Sequence, residues 1–379
     1  MDLKEIRNSI DKIDDELVKL YTERMELCKS VGIYKKDNDK NVNDSVREKE
    51  IVYRLSQKCP EELRLYLKEL YNFIFYSSKA LQSKIILKQS KTKTQLDEIV
   101  SNGVKDFVVD GTVACQGVYG ANSSKAIDKM IPISSVTYFK TFEGVFNAVE
   151  KGLCEFGVLP IENSTAGTVS EVYDLMRKYD FHIVKSVKMQ IDHALAVKKG
   201  VDVNKITKII SHHQAISQCS DFIKQLNVKT ETVENTAIGA KMVSENVDES
   251  VAVICSYECA QAYGLEVVKN KIQNNQKNYT RFICITKDLR VYKGADKISV
   301  MTSLEHEPGS LNRLLSRFYS YGLNLTKLES RPIEGSDFEF MFYLDFEGDI
   351  LDNSVRNLIG ELENASPNFK LLGVYKESL

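Results

Sequence analysis

The ten residues Leu159-Pro160-Ile161-Glu162-Asn163-Ser164-Thr165-Ala166-Gly167-Thr168 set one acid, one amide and three hydroxyls directly behind a short apolar run at 156–159. Such side chains serve one of two ends. They cap a helix beginning near Val169, or they hold a polar ligand where a strand gives way to a helix. Proline has no N–H for a sheet ladder, so Pro160 is expected to end the pairing. Two further polar runs lie downstream. In "SHHQAISQC", Ser211 reads as a helix cap, with Gln214 and Gln218 one turn apart on one face and Gln218 as the contact to a ligand. In "NNQKNYTRF", polar residues lead into a strand near Tyr279, with Thr280 and Phe282 on one face and Arg281 on the other. His212 and His213 are adjacent, so on a helix they point about 100° apart and do not read as a metal pair.

A different chemistry is written near the amino terminus. Ile6, Ile10, Ile13, Leu17, Leu20, Leu27 and Val31 recur in steps of four and three, and Arg24 occupies the one remaining stripe position. A charge on an apolar seam either sets the register by pairing with a glutamate or meets a ligand. Lys35 follows Arg24 by eleven residues and lies about 20° away around a helix, whereas Arg7 precedes it by seventeen and lies about 100° off that face. A second helix begins around Asp44 and Ser45, where Ser45 and Glu48 fit a capping box, and it carries Arg47 and Glu48 in its first turn. A third presents Leu63, Leu67, Leu70, Ile74, Leu81 and Ile85, with Ser78 in the same stripe and Gln82 one turn beyond. Cations, one acid, one serine and one amide facing an apolar helical interior describe a pocket for a compact dianion whose conversion needs no nucleophile.

The elements that position these groups follow from periodicity. The first helix is predicted from a cap at Asp2, with Glu5 completing a capping box, to about Lys35, a length of about 50 Å. One copy cannot bury so long a stripe, so a helical dimer is expected. Residues 84–105 turn to Lys, Gln, Ser and Thr, the composition of a linker. Short β-rich runs at 112–115, 156–159, 193–197, 208–210, 251–254 and 281–285 then alternate with helical stretches, as in an α/β domain. Gly117 and Gly120 permit a tight turn but lack the spacing of a dinucleotide fingerprint. From Lys297 the pattern is strand (298–304), helix (310–321), two strands (323–331 and 338–346), helix (354–363) and strand (370–375), a βαββαβ plan. Pro308-Gly309-Ser310 opens the first of these helices, whose free N–H groups either take a cap or hold a carboxylate.

A chain of 379 residues, 43% hydrophobic, suggests two or three domains. Its net charge of −2 comes from interspersed charges, 51 basic and 53 acidic, which argues against a nucleic-acid or anionic-membrane face. The eight cysteines show no zinc or disulfide spacing, Cys255 and Cys259 included. No metal or cofactor is expected. The amino terminus lacks a signal peptide's apolar block and no segment has the apolar length of a membrane span, so a cytoplasmic, reduced protein is expected.

"IENSTAGTVSEVYDLM", "SHHQAISQC" and "NYTRF" together resemble prephenate dehydratases over residues 106–286. The resemblance makes Thr280 the essential threonine and places Asn163, Thr168, Ser211 and Gln218 around a cleft between two α/β lobes. It implies loss of carbon dioxide and of the ring hydroxyl together, with Thr280 donating a hydrogen bond to the leaving group, since a hydroxyl is a poor acid. Asn122, Cys115 and His213 depart from the aromatic residue, tyrosine and proline common there. The helical region, residues 1–90, resembles the all-α chorismate mutases. That resemblance assigns Arg7 of the partner chain and Arg24 to two carboxylates, Lys35 and Gln82 to the breaking ether oxygen, Glu48 to the ring hydroxyl, and Asp44, Arg47 and Ser78 to the remaining pocket positions. It implies a Claisen rearrangement of chorismate to prephenate. Beyond a linker at 91–105 and the central region, residues 297–379 resemble an ACT domain, with "HEPGSLNRLL" and "ESRP" as its motifs. That implies L-phenylalanine bound between two such domains by Gly309, Ser310, Leu311, Glu329, Ser330, Arg331 and Pro332, and feedback control in a homodimer or homotetramer. Two rivals are an arogenate dehydratase and a non-catalytic amino-acid sensor; the helical charges speak against the latter.

Overall fold

The structure, a computed structural model, describes residues 2–38, 40, 42, 44–86, 90–333, 340–366 and 368–379, without the side chains of 83, 84 and 86. Of the polar run read at 84–105, residues 87–89 lie outside the described residues.

The amino-terminal region is three helices, α1 (Leu3–Asp37), α2 (Ser45–Ser56) and α3 (Arg64–Ile86). The capping box at the head of α1 is formed, Glu5 N–H donating to Asp2 Oδ1 at 2.8 Å and Asp2 N–H to Glu5 Oε2 at 3.0 Å. The second box is not. Asp44, one residue before the expected Ser45, caps α2 by accepting from Arg47 N–H at 3.1 Å, since its carboxylate reaches the free N–H of the first turn. Helices α1 and α3 run in the same direction, Arg24 meeting Ser78 and Gly32 meeting Gln82, and they approach closely at Gly32, where a Cβ would stand 3.2 Å from Gln82 Cα. Within one chain most of the α1 stripe stays open: Ile13 is 57% exposed, Leu17 55% and Leu20 60%.

Residues 91–105 are not a plain linker. Helix α4 (Lys91–Ser101) occupies them, and its Leu96 is fully buried in the carboxy-terminal core. Polar composition concealed a helix that packs Leu96, Ile99 and Val100 against that core while its polar side chains bond to α13. Glu363 accepts from Ser90 and Thr92, and Arg356 Nε meets Asp97 at 2.6 Å.

The central region has two lobes. The first contains β1 (Asp110–Gln116), α5 (Asn122–Met130), β2 (Ile133–Phe139), α6 (Phe142–Glu150), β3 (Phe156–Asn163), the short β4 (Gly167–Thr168), α7 (Ser170–Lys178) and β5 (His182–Gln190). The chain then crosses into the second lobe: β6 (Ala194–Val197), β7 (Lys208–His212), α8 (His213–Gln218), α9 (Ser220–Leu226), β8 (Lys229–Val233), α10 (Thr236–Glu245), β9 (Val251–Cys255), α11 (Tyr257–Ala262) and β10 (Glu266–Lys269). It returns through residues 270–278 to β11 (Tyr279–Thr286), which inserts between β3 and β5. Pro160 does not end the pairing of β3. A bulge there sets Arg281 opposite Glu162 and Phe282 opposite Pro160, so the ladder passes the missing N–H and continues to Asn163.

The last six elements are β12 (Lys297–Ser303), α12 (Ser310–Ser320), β13 (Leu325–Pro332), β14 (Phe340–Glu347), α13 (Asn353–Ala365) and β15 (Phe369–Ser378), the expected βαββαβ order. Their strands lie in the order β13-β14-β12-β15, and β15 pairs in parallel with β5, fusing this module and the first lobe into one ten-stranded sheet. Gly373 makes the junction possible: a Cβ there would fall 2.1 Å from Ile183 O. No described helix is long and apolar enough to cross a membrane.

Candidate functional site

Two groups of predicted site residues assemble in separate places, and a third feature lies in the last module. In the helical region, Arg24 projects from α1 towards α3. Its Nη1 donates to Ser78 Oγ at 2.6 Å and its guanidinium stands 5.8 Å from the centre of the Phe75 ring. Lys35 Nζ, three turns on, donates to Val42 O at 2.7 Å. Gln82 is buried and its Oε1 has no partner among the described residues, a state costing about 1–3 kcal/mol unless a bound molecule relieves it. Glu48 pairs across the helices with Lys79 at 3.0 Å, an arrangement sequence reasoning missed because Lys79 sits in an unremarkable polar run. Asp44 is held as a cap, and Arg47 pairs with exposed Glu50 at 3.1 Å, turned to solvent. Arg7 lies about 25 Å along α1 from Arg24 and cannot share its pocket within one chain.

In the cleft between the α/β lobes, the side chains form a chain whose direction is set at one end. Asn163 Oδ1 accepts from the backbone N–H groups of Thr165 (3.0 Å) and Ala166 (2.8 Å). Its amide nitrogen must therefore face the other way, and it donates to Thr280 Oγ1 at 2.8 Å and Asn278 Oδ1 at 2.9 Å. Thr280 receives a hydrogen bond, and its own proton is committed to no partner among the described residues. Asn278 in turn donates to Gln218 Oε1 at 3.1 Å, and the same oxygen lies 2.8 Å from His193 Nε2. Gln218 thus ties α8 of the second lobe to the ends of β3 and β11 in the first.

Asn278 and His193 were missed. The available signal was the amide-rich run before Tyr279, and His193 read as the first residue of a strand whereas β6 begins at Ala194. Burial pulls the His193 pKa below its ordinary value, which keeps the ring neutral. Burial, reinforced by the charge of His213, does the same to His212.

Two expected cleft residues are engaged elsewhere. Ser211 does not cap α8: it lies within β7, is fully buried, and donates to Ile254 O at 2.6 Å, while His212 caps α8. The alternation of β7 turns its hydroxyl into the sheet. Thr168 caps nothing either. Its hydroxyl donates to Glu329 Oε2 of β13 at 2.6 Å.

The third feature is a half-open pocket of 360 Å³ where Pro308, Ser310 and Leu311 of the α12 opening face Phe340 and Phe342 of β14. Gly309 adopts φ +86° as the N-cap of α12, a conformation that favours glycine, and no side chain caps the helix. Strand β13 divides the remaining predicted residues. Ser330 and Pro332 lie opposite Phe342 and Phe340 and so share the pocket's face. Glu329 and Arg331 point the other way, to Thr168 and to Asp174 at 3.3 Å.

A family model described as chorismate mutase type II matches residues 6–83, and one described as prephenate dehydratase matches residues 113–290. A bifunctional chorismate mutase/prephenate dehydratase of Aquifex aeolicus is 29% identical over 390 aligned positions, covering all of this chain and 99% of that protein. Arogenate dehydratase/prephenate dehydratase 2 of Arabidopsis thaliana is 34% identical over 78% of this chain and 80% of its own length. Among solved structures, the prephenate dehydratase of Arthrobacter aurescens in complex with L-Phe matches with a TM-score of 0.64 and 28% identity, over 70% of this chain and 89% of that one.

Proposed function

The chain belongs to the family of bifunctional chorismate mutase/prephenate dehydratases, and on that premise we propose how its residues divide the work. It is a chorismate mutase and a prephenate dehydratase of phenylalanine biosynthesis. In the helical pocket, Arg24 clamps one substrate carboxylate and Arg7 of a second copy the other. Lys35 and Gln82 stabilise charge on the ether oxygen as its bond to the ring breaks, and Glu48 receives the ring hydroxyl. No covalent catalyst is needed, since the rearrangement is unimolecular and the site has only to hold the reactive conformer. The open stripe of α1 supports a homodimer.

In the cleft, the carboxylate of prephenate leaves as carbon dioxide, its electron pair enters the ring, and the ring hydroxyl departs as hydroxide that is protonated to water. Thr280 donates a hydrogen bond to that departing oxygen. The observation that carries this role is the backbone-anchored Asn163 amide, which makes Thr280 Oγ1 an acceptor and leaves its proton for the substrate. Gln218 offers its amide nitrogen to a substrate carboxylate. Incubation with chorismate should consume it and yield phenylpyruvate. Prephenate supplied directly should be converted faster than arogenate; the reverse order would make the second activity an arogenate dehydratase.

L-Phenylalanine binds the carboxy-terminal module at Gly309, Ser310 and Leu311 and the face of Ser330 and Pro332, and inhibits the dehydratase. Support comes from β13, whose Ser330 and Pro332 pair with the pocket residues Phe342 and Phe340 while its Glu329 reaches Thr168 on the other face. Calorimetric titration of the full chain with phenylalanine, tyrosine serving as control, tests binding. Full dehydratase turnover at millimolar phenylalanine would remove the regulatory role.

A further inference from the structure

The two segments that join the α/β lobes each contribute one buried polar side chain to the chain of hydrogen bonds ending at Thr280. His193 stands in the crossing from β5 to β6 and is 5% exposed; Asn278 stands at the end of the return to β11 and is 2% exposed. Both are built in. His193 N–H donates to Gln273 Oε1 at 3.0 Å, and its carbonyl accepts from Ile272 at 3.0 Å. Asn278 O accepts from Ile191 N–H at 2.8 Å. The crossings therefore clasp each other, and their side chains face the cleft from a fixed frame.

The polarity of the chain follows from its anchored end. Because Asn163 presents its nitrogen, Asn278 must present its carbonyl there and its own nitrogen to Gln218. Gln218 must then present its carbonyl to Asn278, and the ring nitrogen 2.8 Å from that same oxygen must carry a proton. His193 is thus the Nε2–H tautomer, donating. With its carbonyl held by two donors, Gln218 has its amide nitrogen left over, and that nitrogen bonds to nothing among the described residues.

We propose that His193 and Asn278 are positioning residues for the dehydration, holding the Gln218 amide in the one orientation that presents its N–H groups to the substrate. This rests on the reading of Gln218 as a contact to a prephenate carboxylate. An amide free to turn would offer its oxygen to that carboxylate half of the time or lose the contact, and the lobe carrying Gln218 would lose its tie to the strand of Thr280.

The test uses the full-length protein with prephenate as substrate and mutase turnover of chorismate as the control for folding. His193→Leu is expected to raise the KM for prephenate about tenfold with kcat within about threefold of the parent. His193→Gln, whose amide nitrogen can replace Nε2–H, is expected to restore KM to within about threefold. Asn278→Asp keeps the shape but turns an acceptor towards Gln218, forcing its nitrogen away from the cleft, and is expected to raise KM as His193→Leu does. It guards against a leucine variant that fails to fold. In a Gln218→Ala background, His193→Leu is expected to add nothing, since residues acting through one another are not additive.

If Gln218→Ala raises KM while His193→Leu and Asn278→Asp match the parent, or if the effects of Gln218→Ala and His193→Leu multiply, the positioning role is overturned and the substrate contact stands. Unchanged KM in Gln218→Ala itself would overturn both.

Discussion

Thr280 and Arg24 show how one side chain acquires a role from its partners. Thr280 is a poor acid, but the donor from Asn163 fixes it as an acceptor on one side and so aims its proton away. Thr280→Val keeps the strand and removes the hydroxyl; dehydratase kcat is expected to fall about 10²- to 10³-fold while mutase turnover persists. Arg24→Ala is expected to produce the mirror image, a mutase loss of similar size with prephenate still converted. Steady-state assays of both reactions on each variant check the pair, and a variant losing both activities would break the separation of the two sites. Ser211 is the opposite case. Its motif was legible in the sequence, yet the alternation of β7 buries the hydroxyl against Ile254 O.

At the scale of elements, α1 and β13 each serve two places. Helix α1 holds Arg24 and Lys35 at one pocket while Arg7 lies too far along the axis to join it, so the proposed mutase site draws its Arg7 from a second α1. Leu17→Glu places a charge in the open stripe without touching Arg24. It is expected to dissociate the proposed dimer in sedimentation analysis and abolish mutase turnover, leaving the dehydratase active; a dissociated variant with full mutase activity would sink the shared-site reading. Strand β13 alternates between the pocket face of Ser330 and Pro332 and the face of Lys327, Glu329 and Arg331. Lys327 meets both Glu162 and Glu329, at 3.2 and 3.1 Å, so the carboxy-terminal module touches the strand that ends in Asn163.

Across the whole molecule, the residue next to Thr280 ties the catalytic lobe to the last module. Arg281 is 5% exposed and meets Asp345 at 2.6 Å, Glu377 at 2.7 Å, and the hydroxyl of Tyr375. Burial disfavours its charge, but Tyr375, Asp345 and Glu377 more than offset this and hold it protonated. Asp345→Ala leaves that guanidinium short of a counter-charge in the interior and is expected to cost about 3–5 kcal/mol, read from denaturant unfolding. For the same reason, cutting the chain at residue 297 removes the partners of both Arg281 and β5. Point substitutions are thus cleaner probes of regulation than deletion. Burial alone would raise the carboxyl of Glu377, but Arg281 and Lys297 bring it down to about 2. Its folded pKa lies below the unfolded value of about 4.3, so its contribution is present above that value and is lost as pH falls towards about 2. Melting temperature measured across that window is expected to fall more steeply in the parent than in Glu377→Gln; equal slopes would deny Glu377 this part.

The sequence alone determined what depends on neighbours along the chain. Periodicity marked α1 and its capping box, spacing put Arg24 and Ser78 on apolar stripes, and alternation with turn chemistry marked the βαββαβ order. These signals are local, set by helical and strand geometry within a few residues. Only the tertiary structure decided the rest, because it concerns pairs far apart in the chain. Nothing near Pro160 announces the bulge that lets β3 run on to Asn163, since the accommodating partner is β11, more than a hundred residues later. Nothing near Lys91 announces α4, whose single buried leucine finds its core in α13 and β15. The junction of β15 with β5, the anchoring of Arg281 and the line from Asn163 to His193 likewise join side chains whose burial and hydrogen bonds come into being only when distant segments pack together.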